Sequence, residues 1–172
     1  DLALRYDLTV PLARFIANHQ TLIAKGAFCR YQIGQVFRGE NPQHGRYREF
    51  TQFDFDSVNA NSFEEDAKII ASAMESIRKI GLSNASILLN DRTNFESLPQ
   101  DFIRAIDKLH KIGRDGVIAE LKQNYKEEQI QKFLNSIESS NPTENLKKIM
   151  DKLESKYMLK EGEDFYFEWG FG

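Results

Sequence analysis

The sequence predicts an α+β fold, and three observations carry that prediction. Two runs of alternating polar and apolar residues, 27 to 38 (AFCRYQIGQVFR) and 46 to 58 (RYREFTQFDFDSV), flank seven residues that contain Pro42 and Gly45. That is the pattern of two long strands folded back as an antiparallel pair. Apolar residues then recur at helical spacing from Phe63 to Ile77, and helical patterns return from about residue 98 to 158.

Taken in order, residues 1 to 8 (DLALRYDL) alternate like a strand. Thr9 is expected to cap a helix through Val10, Pro11, Leu12, Phe15 and Ile16, with proline tolerated in the first turn because its missing N–H has no helical partner there. After the strand pair, Ser62 and Glu65 spell an S-x-x-E capping box, in which each side chain satisfies the other's orphan backbone N–H. The helix it opens places Phe63, Ala67, Ile70, Met74 and Ile77 on one face and ends at Gly81. SILLN, 86 to 90, is predicted as a short buried strand. From Ser97 onward helices are expected at 98 to 112, 115 to 125, 127 to 138 and 142 to 158, the last with Asn141 as cap, Pro142 first and Glu144 third. These four make a small helical module with lysine-rich outer faces, and FYFEW near the end returns the chain to a sheet.

A chain of 172 residues can bury one ordinary core, or one core and a small satellite. With 41% hydrophobic and 28% charged residues and a formal net charge of -3, the balance is that of a soluble globular protein. No apolar run of about 18 residues could span a bilayer, and DLALRYDLTV lacks the order of an export signal. The single Cys29 cannot form an internal disulfide, so a reducing, cytoplasmic setting and a buried thiol are expected. The opening without Met and the aromatic ending EGEDFYFEWGFG give the expectation of a segment within a longer protein.

Six of the ten arginines lie in residues 1 to 60, accompanied only by Lys25, whereas ten lysines and only Arg104 and Arg114 follow residue 100. Arginine offers a planar fork for phosphates and carboxylates; lysine is a hydrated point charge. The first third therefore reads as a site. Within it, Phe50, Gln52, Asp54 and Asp56 share one face of the second long strand, because residues two apart in a strand point the same way. The loop brings Arg46 and Arg48 back past Arg38 and Glu40. Such a positive patch beside a negative one suits a ligand with a phosphate at one end and an ammonium at the other. Phe50 offers a flat face on which a base could stack, an interaction worth about 1 to 3 kcal/mol. ATP together with an amino acid fits. The plainer reading is a wet strand face with cross-strand Arg–Asp pairs worth under about 1 kcal/mol each.

The order F-R-x-E, a loop, then R-x-x-x-F-x-x-x-D, spelled by Phe37, Arg38, Glu40, Arg46, Phe50 and Asp54, resembles motif 2 of the class II aminoacyl-tRNA synthetases. The strings RYDLTVPLAR (5 to 14), RYQIG (30 to 34) and GRYREFTQFDFD (45 to 56) are similar to the histidyl-tRNA synthetase family in particular. The resemblance implies part of an antiparallel-sheet catalytic domain over 1–95, a helical insertion domain over 96–160 and a return strand over 161–172. It implies that Arg38 is the catalytic arginine on the α-phosphate of ATP, that Phe50 stacks on adenine, that Glu40 meets the adenine side or the tRNA end, and that Arg46 takes the outer phosphates. Asp7 and Thr9 would meet the histidine amino and carboxylate region, Gln52 would lie beside the substrate, and Asp56 would complete the ammonium site, with Asp54 on the same face as the alternative.

Histidine, ATP with Mg²⁺ and tRNA(His) are the implied substrates, and a homodimer the implied assembly, with no membrane. No protein-held metal is expected, since His19, His44 and His110 are scattered and there is one cysteine. The family's motif 1, its R-G-x-x-Y-Y-type loop and its motif 3 are not among these residues, so the segment alone is expected not to complete the reaction. Two other functions share the fold: a histidine-sensing regulatory subunit of ATP phosphoribosyltransferase, and a synthetase-derived tRNA-sensing domain. The retained Arg38, Glu40, Arg46, Phe50 and Gln52 favour the ligase.

Overall fold

The computed structural model describes residues 2–96 and 98–168, apart from the side chains of Arg92 and His110. It contains, in chain order, α1 (Thr9–Asn18), β1 (Phe28–Phe37), β2 (Glu49–Val58), α2 (Phe63–Lys79), β3 (Ile87–Leu89), α3 (Gln100–Leu121), α4 (Glu127–Glu138), α5 (Glu144–Tyr157) and β4 (Phe165–Phe167). The fold is α+β, with its long strands antiparallel and its helices concentrated after residue 100. Two compact units divide it, residues 1–65 and 66–172.

In the first unit, β1 and β2 pair over their full lengths, from Phe28 opposite Val58 to Phe37 opposite Glu49. The even-numbered residues of β1 are the more covered ones, Val36 being fully buried, while Cys29, Tyr31, Ile33 and Gln35 are exposed. Cys29 is thus not the buried thiol expected, because the register puts it on the open face; its Sγ lies 3.5 Å from Ser57 Oγ. Residues 2–8 form no strand: Arg5 O accepts one bond from Phe37 N at 2.8 Å, and the segment then turns into α1. Leu8 is fully buried, and it, not an outward residue, sets where that segment rests. Gly34 leaves room for the crossing chain, since a Cβ there would lie 3.2 Å from Arg5 Nη2 and 3.4 Å from Leu8 Cδ2. Thr9 makes no cap; Asp7 Oδ1 accepts from Val10 N at 3.1 Å instead.

The second unit has two apolar centres. Phe95, Phe102, Ala105, Ile106, Val117, Leu121, Ile130, Phe133, Leu134 and Ile137 form one continuous core. Within it Phe102 makes edge contacts with Phe133 at 4.3 Å and Tyr125 at 4.5 Å between ring centres. The two helices expected at 98 to 112 and 115 to 125 are the two arms of α3, which breaks at Gly113 with φ 69° and ψ 175°. That conformation is essentially open to glycine alone. Elsewhere in the unit, β3 and β4 pair in parallel, and Leu89, Leu146, Ile149, Met150, Leu153 and Phe165 are buried. α5 begins two residues later than the Asn-Pro signal predicted. Thr143 is its cap and accepts from Leu146 N at 3.1 Å. Asp91 accepts from both the Thr143 and the Thr93 hydroxyls. Burial pushes the Asp91 carboxyl up, but the hydrogen bonds from Thr143 and Thr93 outweigh it and hold the group below the ordinary 3.8. Of the expected FYFEW strand, Phe165–Phe167 form β4 and Glu168 lies beyond it; residues from Trp169 on, like Asp1 and Ser97, lie outside the described residues.

Candidate active site

The covered face of the β1–β2 pair is lined by charged and amide groups in register. Arg30 lies opposite Asp56, Gln32 opposite Asp54, Gly34 opposite Gln52 and Val36 opposite Phe50. Arg30 is enclosed, with 11% of its side chain exposed, and its Nη2 sits 2.8 Å from Asp56 Oδ2. It also donates to Gln32 Oε1 at 3.1 Å and to Leu8 O at 3.4 Å. A cation this covered is tolerable only with such partners. The fit is incomplete, because Arg30 Nε and Asp56 Oδ2 have no aligned hydrogen-bond partner.

One residue past β1, Arg38 continues the ladder through its N–H to Arg48 O at 2.8 Å. Its guanidinium is held on several sides. Nε donates to Tyr6 O at 3.3 Å and Nη2 to Gln52 Oε1 at 3.4 Å. The guanidinium carbon stands 4.6 Å from the Tyr6 ring centre and 5.1 Å from that of Phe50. Gln52 is itself oriented, since its Nε2 donates to both Asp54 oxygens at 2.7 and 2.9 Å and so turns Oε1 towards Arg38. The described hydrogen bonds of Arg38 leave Nη1 unused, and it is not among the buried unpartnered atoms.

The loop completes the outer end. Gln43 and Arg46 bridge across His44 and Gly45, the glycine at φ 78°. Glu40 O accepts from Arg48 Nε at 3.1 Å, while Glu40 Oε2 lies 3.5 Å from Arg46 Nη1. Arg38, Glu40, Gly45, Arg46, Tyr47 and Phe50 line a cavity of ≈ 260 Å³. The cleft thus brings together two guanidinium groups, one carboxylate and the Tyr47 and Phe50 rings.

The family described as histidyl-tRNA synthetase has a profile that matches residues 1–164. The chain belongs to that family. Among its relatives is a histidine–tRNA ligase of Wolinella succinogenes, 45% identical over 130 residues, covering 70% of this chain and 29% of that protein. Another, from Treponema denticola, is 36% identical over 167 residues, covering 90% of this chain and 37% of that protein. The crystal structure of histidyl-tRNA synthetase from Nostoc sp. PCC 7120 superposes with a TM-score of 0.65 at 31% identity, over 88% of this chain and 36% of that one. The chain thus spans about a third of the length of the relatives it matches.

Of the residues that the synthetase resemblance singled out, the structure gathers Arg38, Glu40, Arg46 and Phe50 around one cavity, with Gln52 bonded to Arg38. Asp7 and Thr9 lie at the start of α1, where Asp7 serves as a helix cap. Asp56 is engaged by Arg30, and the same Arg30 nitrogen reaches Leu8 O, so of the segment holding Asp7 and Thr9 it is the Leu8 carbonyl that meets this guanidinium. Sequence reasoning missed Arg30 and Tyr6. The signal for Arg30 is cross-strand position: once the register is known, it stands directly opposite Asp56. Tyr6 carries no such signal, because it lies in a segment without regular structure.

Proposed function

We propose that this chain contributes the ATP- and histidine-binding part of a histidine–tRNA ligase. In this reading Arg38 holds the α-phosphate through its unused Nη1, Phe50 stacks on adenine, Glu40 lies on the adenine side, and Arg46 takes the outer phosphates. Histidine sits towards Asp7, Thr9, Gln52 and Asp56, with its ammonium near the carboxylates. Its carboxylate oxygen attacks the α-phosphorus as the bond to the β-phosphate bridge breaks, giving histidyl-adenylate and pyrophosphate. The 3′-terminal adenosine hydroxyl of tRNA(His) then attacks the adenylate carbonyl and AMP leaves. The protein supplies position and charge, not a nucleophile.

Magnesium belongs to the substrate here. The cavity offers one carboxylate, Glu40, already beside Arg46, and among the described residues no three metal-binding side chains cluster. The ion would therefore travel on the ATP phosphates. Residues 1–95 act as the catalytic part, 96–160 as a helical insertion and 161–172 as a return strand, in a cytoplasmic homodimer. Among the described residues no helix is long and apolar enough to cross a membrane.

The observation that carries the reading is the Arg38 guanidinium, held against two rings and an oriented amide with one nitrogen left without a described bond. The test is histidine-dependent ATP–pyrophosphate exchange by the full-length polypeptide that carries these residues. Arg38→Ala should lower it on the order of 10²- to 10³-fold, the loss typical of a removed transition-state donor. Histidine affinity, measured by calorimetry without ATP, should stay within about twofold. Exchange that survives Arg38→Ala defeats the reading.

A further inference from the structure

We infer that Tyr6 is a positioning residue for the adenylation step, acting through Arg38. The inference rests on the ATP reading above. Tyr6 holds the arginine twice: its carbonyl accepts from Nε at 3.3 Å, and its ring lies under the guanidinium at 4.6 Å. Phe50 is on the guanidinium as well, at 5.1 Å, but an adenine that stacks on Phe50 competes for space around that ring. Tyr6 has no such second duty. The residue is 58% exposed, so it fills no core and its contact with Arg38 is not a by-product of burial.

The physical consequence concerns reorganisation. An arginine on a mobile stem must be ordered when charge develops on the phosphoryl oxygens, whereas one already clamped presents its donor at no further cost. Two constraints in different planes fix it. Tyr6 O and Gln52 Oε1 set the in-plane rotation, and the Tyr6 ring sets the plane itself. Among the described hydrogen bonds Nη1 is left unused, and in the ATP reading it is the donor offered to the phosphate.

Because the carbonyl is backbone, substitution isolates the ring. In the full-length polypeptide, Tyr6→Phe keeps the aromatic face and should leave kcat/KM for ATP in pyrophosphate exchange within about twofold, whereas Tyr6→Leu should lower it on the order of tenfold. The loss should fall on kcat and on KM for ATP, with KM for histidine unchanged. In an Arg38→Ala background, Tyr6→Leu should add nothing, since its effect runs through that guanidinium. Equal damage from Tyr6→Phe and Tyr6→Leu would overturn the inference, as would a parallel rise in the histidine KM or full additivity with Arg38→Ala. If Tyr6→Leu is harmless while Arg38→Ala is damaging, only this inference fails. If Arg38→Ala is itself harmless, the ATP reading fails with it.

Discussion

The covered face of the β1–β2 pair and the helical core between Phe95 and Ile137 solve opposite problems. The helical core is built from apolar side chains, and its charges stay outside in exposed pairs such as Lys108–Glu120 and Lys122–Glu127. Such pairs contribute under about 1 kcal/mol each. On the strand pair, Arg30 and Arg38 are drawn onto the covered face and surrounded by amides, carboxylates and rings. Arginine suits the strand pair because a planar fork can be gripped by edge and face together. One region is organised for stability and the other for presenting charge.

Substitutions should separate the two regions. The largest expected effect on folding is at Phe102, whose ring contacts Tyr125 and Phe133; Phe102→Ala should cost about 3–5 kcal/mol in urea unfolding. Gly113→Ala should cost about 1–3 kcal/mol by forcing a side chain into a glycine-only conformation at the break in α3. Thr143→Val removes both the α5 cap and a donor to Asp91, for about 1 kcal/mol near neutral pH.

The Asp91 substitution partner also has a pH signature. The folded-state carboxyl is held below the ordinary 3.8, so its stabilisation is present above that value and is lost as pH falls through the lower folded value. Wild type should therefore lose more stability than Thr143→Val as the solution is taken from neutral into that acid window. An identical acid dependence for the two proteins would contradict the assignment.

Much of this division is legible in the residues. Period-two alternation located both long strands to within about three residues, since one face of each is covered. The pattern at 127 to 138 gave α4 to the residue, because Ile130, Phe133, Leu134 and Ile137 repeat cleanly. Residues 1 to 8 alternate just as well, yet among the described residues their one backbone–backbone bond to β1 is from Phe37 N to Arg5 O, with Leu8 buried; alternation does not report ladder bonds. Asn141-Pro142 promised a cap that Thr143 provides, in an extended conformation that directs its hydroxyl at Leu146 N.

The Arg30–Asp56 pair was hidden for a different reason. Opposed residues in the strands sum to 86, but Gln43 and Arg46 at the turn sum to 89. Three extra residues therefore sit on the first arm of the loop. No two-residue turn rule could recover that register from sequence. Within that longer arm, the Glu40 carbonyl accepts from Arg48 and its carboxylate lies beside Arg46.

The most direct test of the account is a crystal structure of the full-length polypeptide with ATP bound. The expected result is an α-phosphate oxygen about 3 Å from Arg38 Nη1, adenine parallel to the Phe50 ring, and Tyr6 and Gln52 still holding the guanidinium. A nucleotide bound away from the cavity between Arg38 and Arg46, or an Arg38 that makes no phosphate contact, would contradict it.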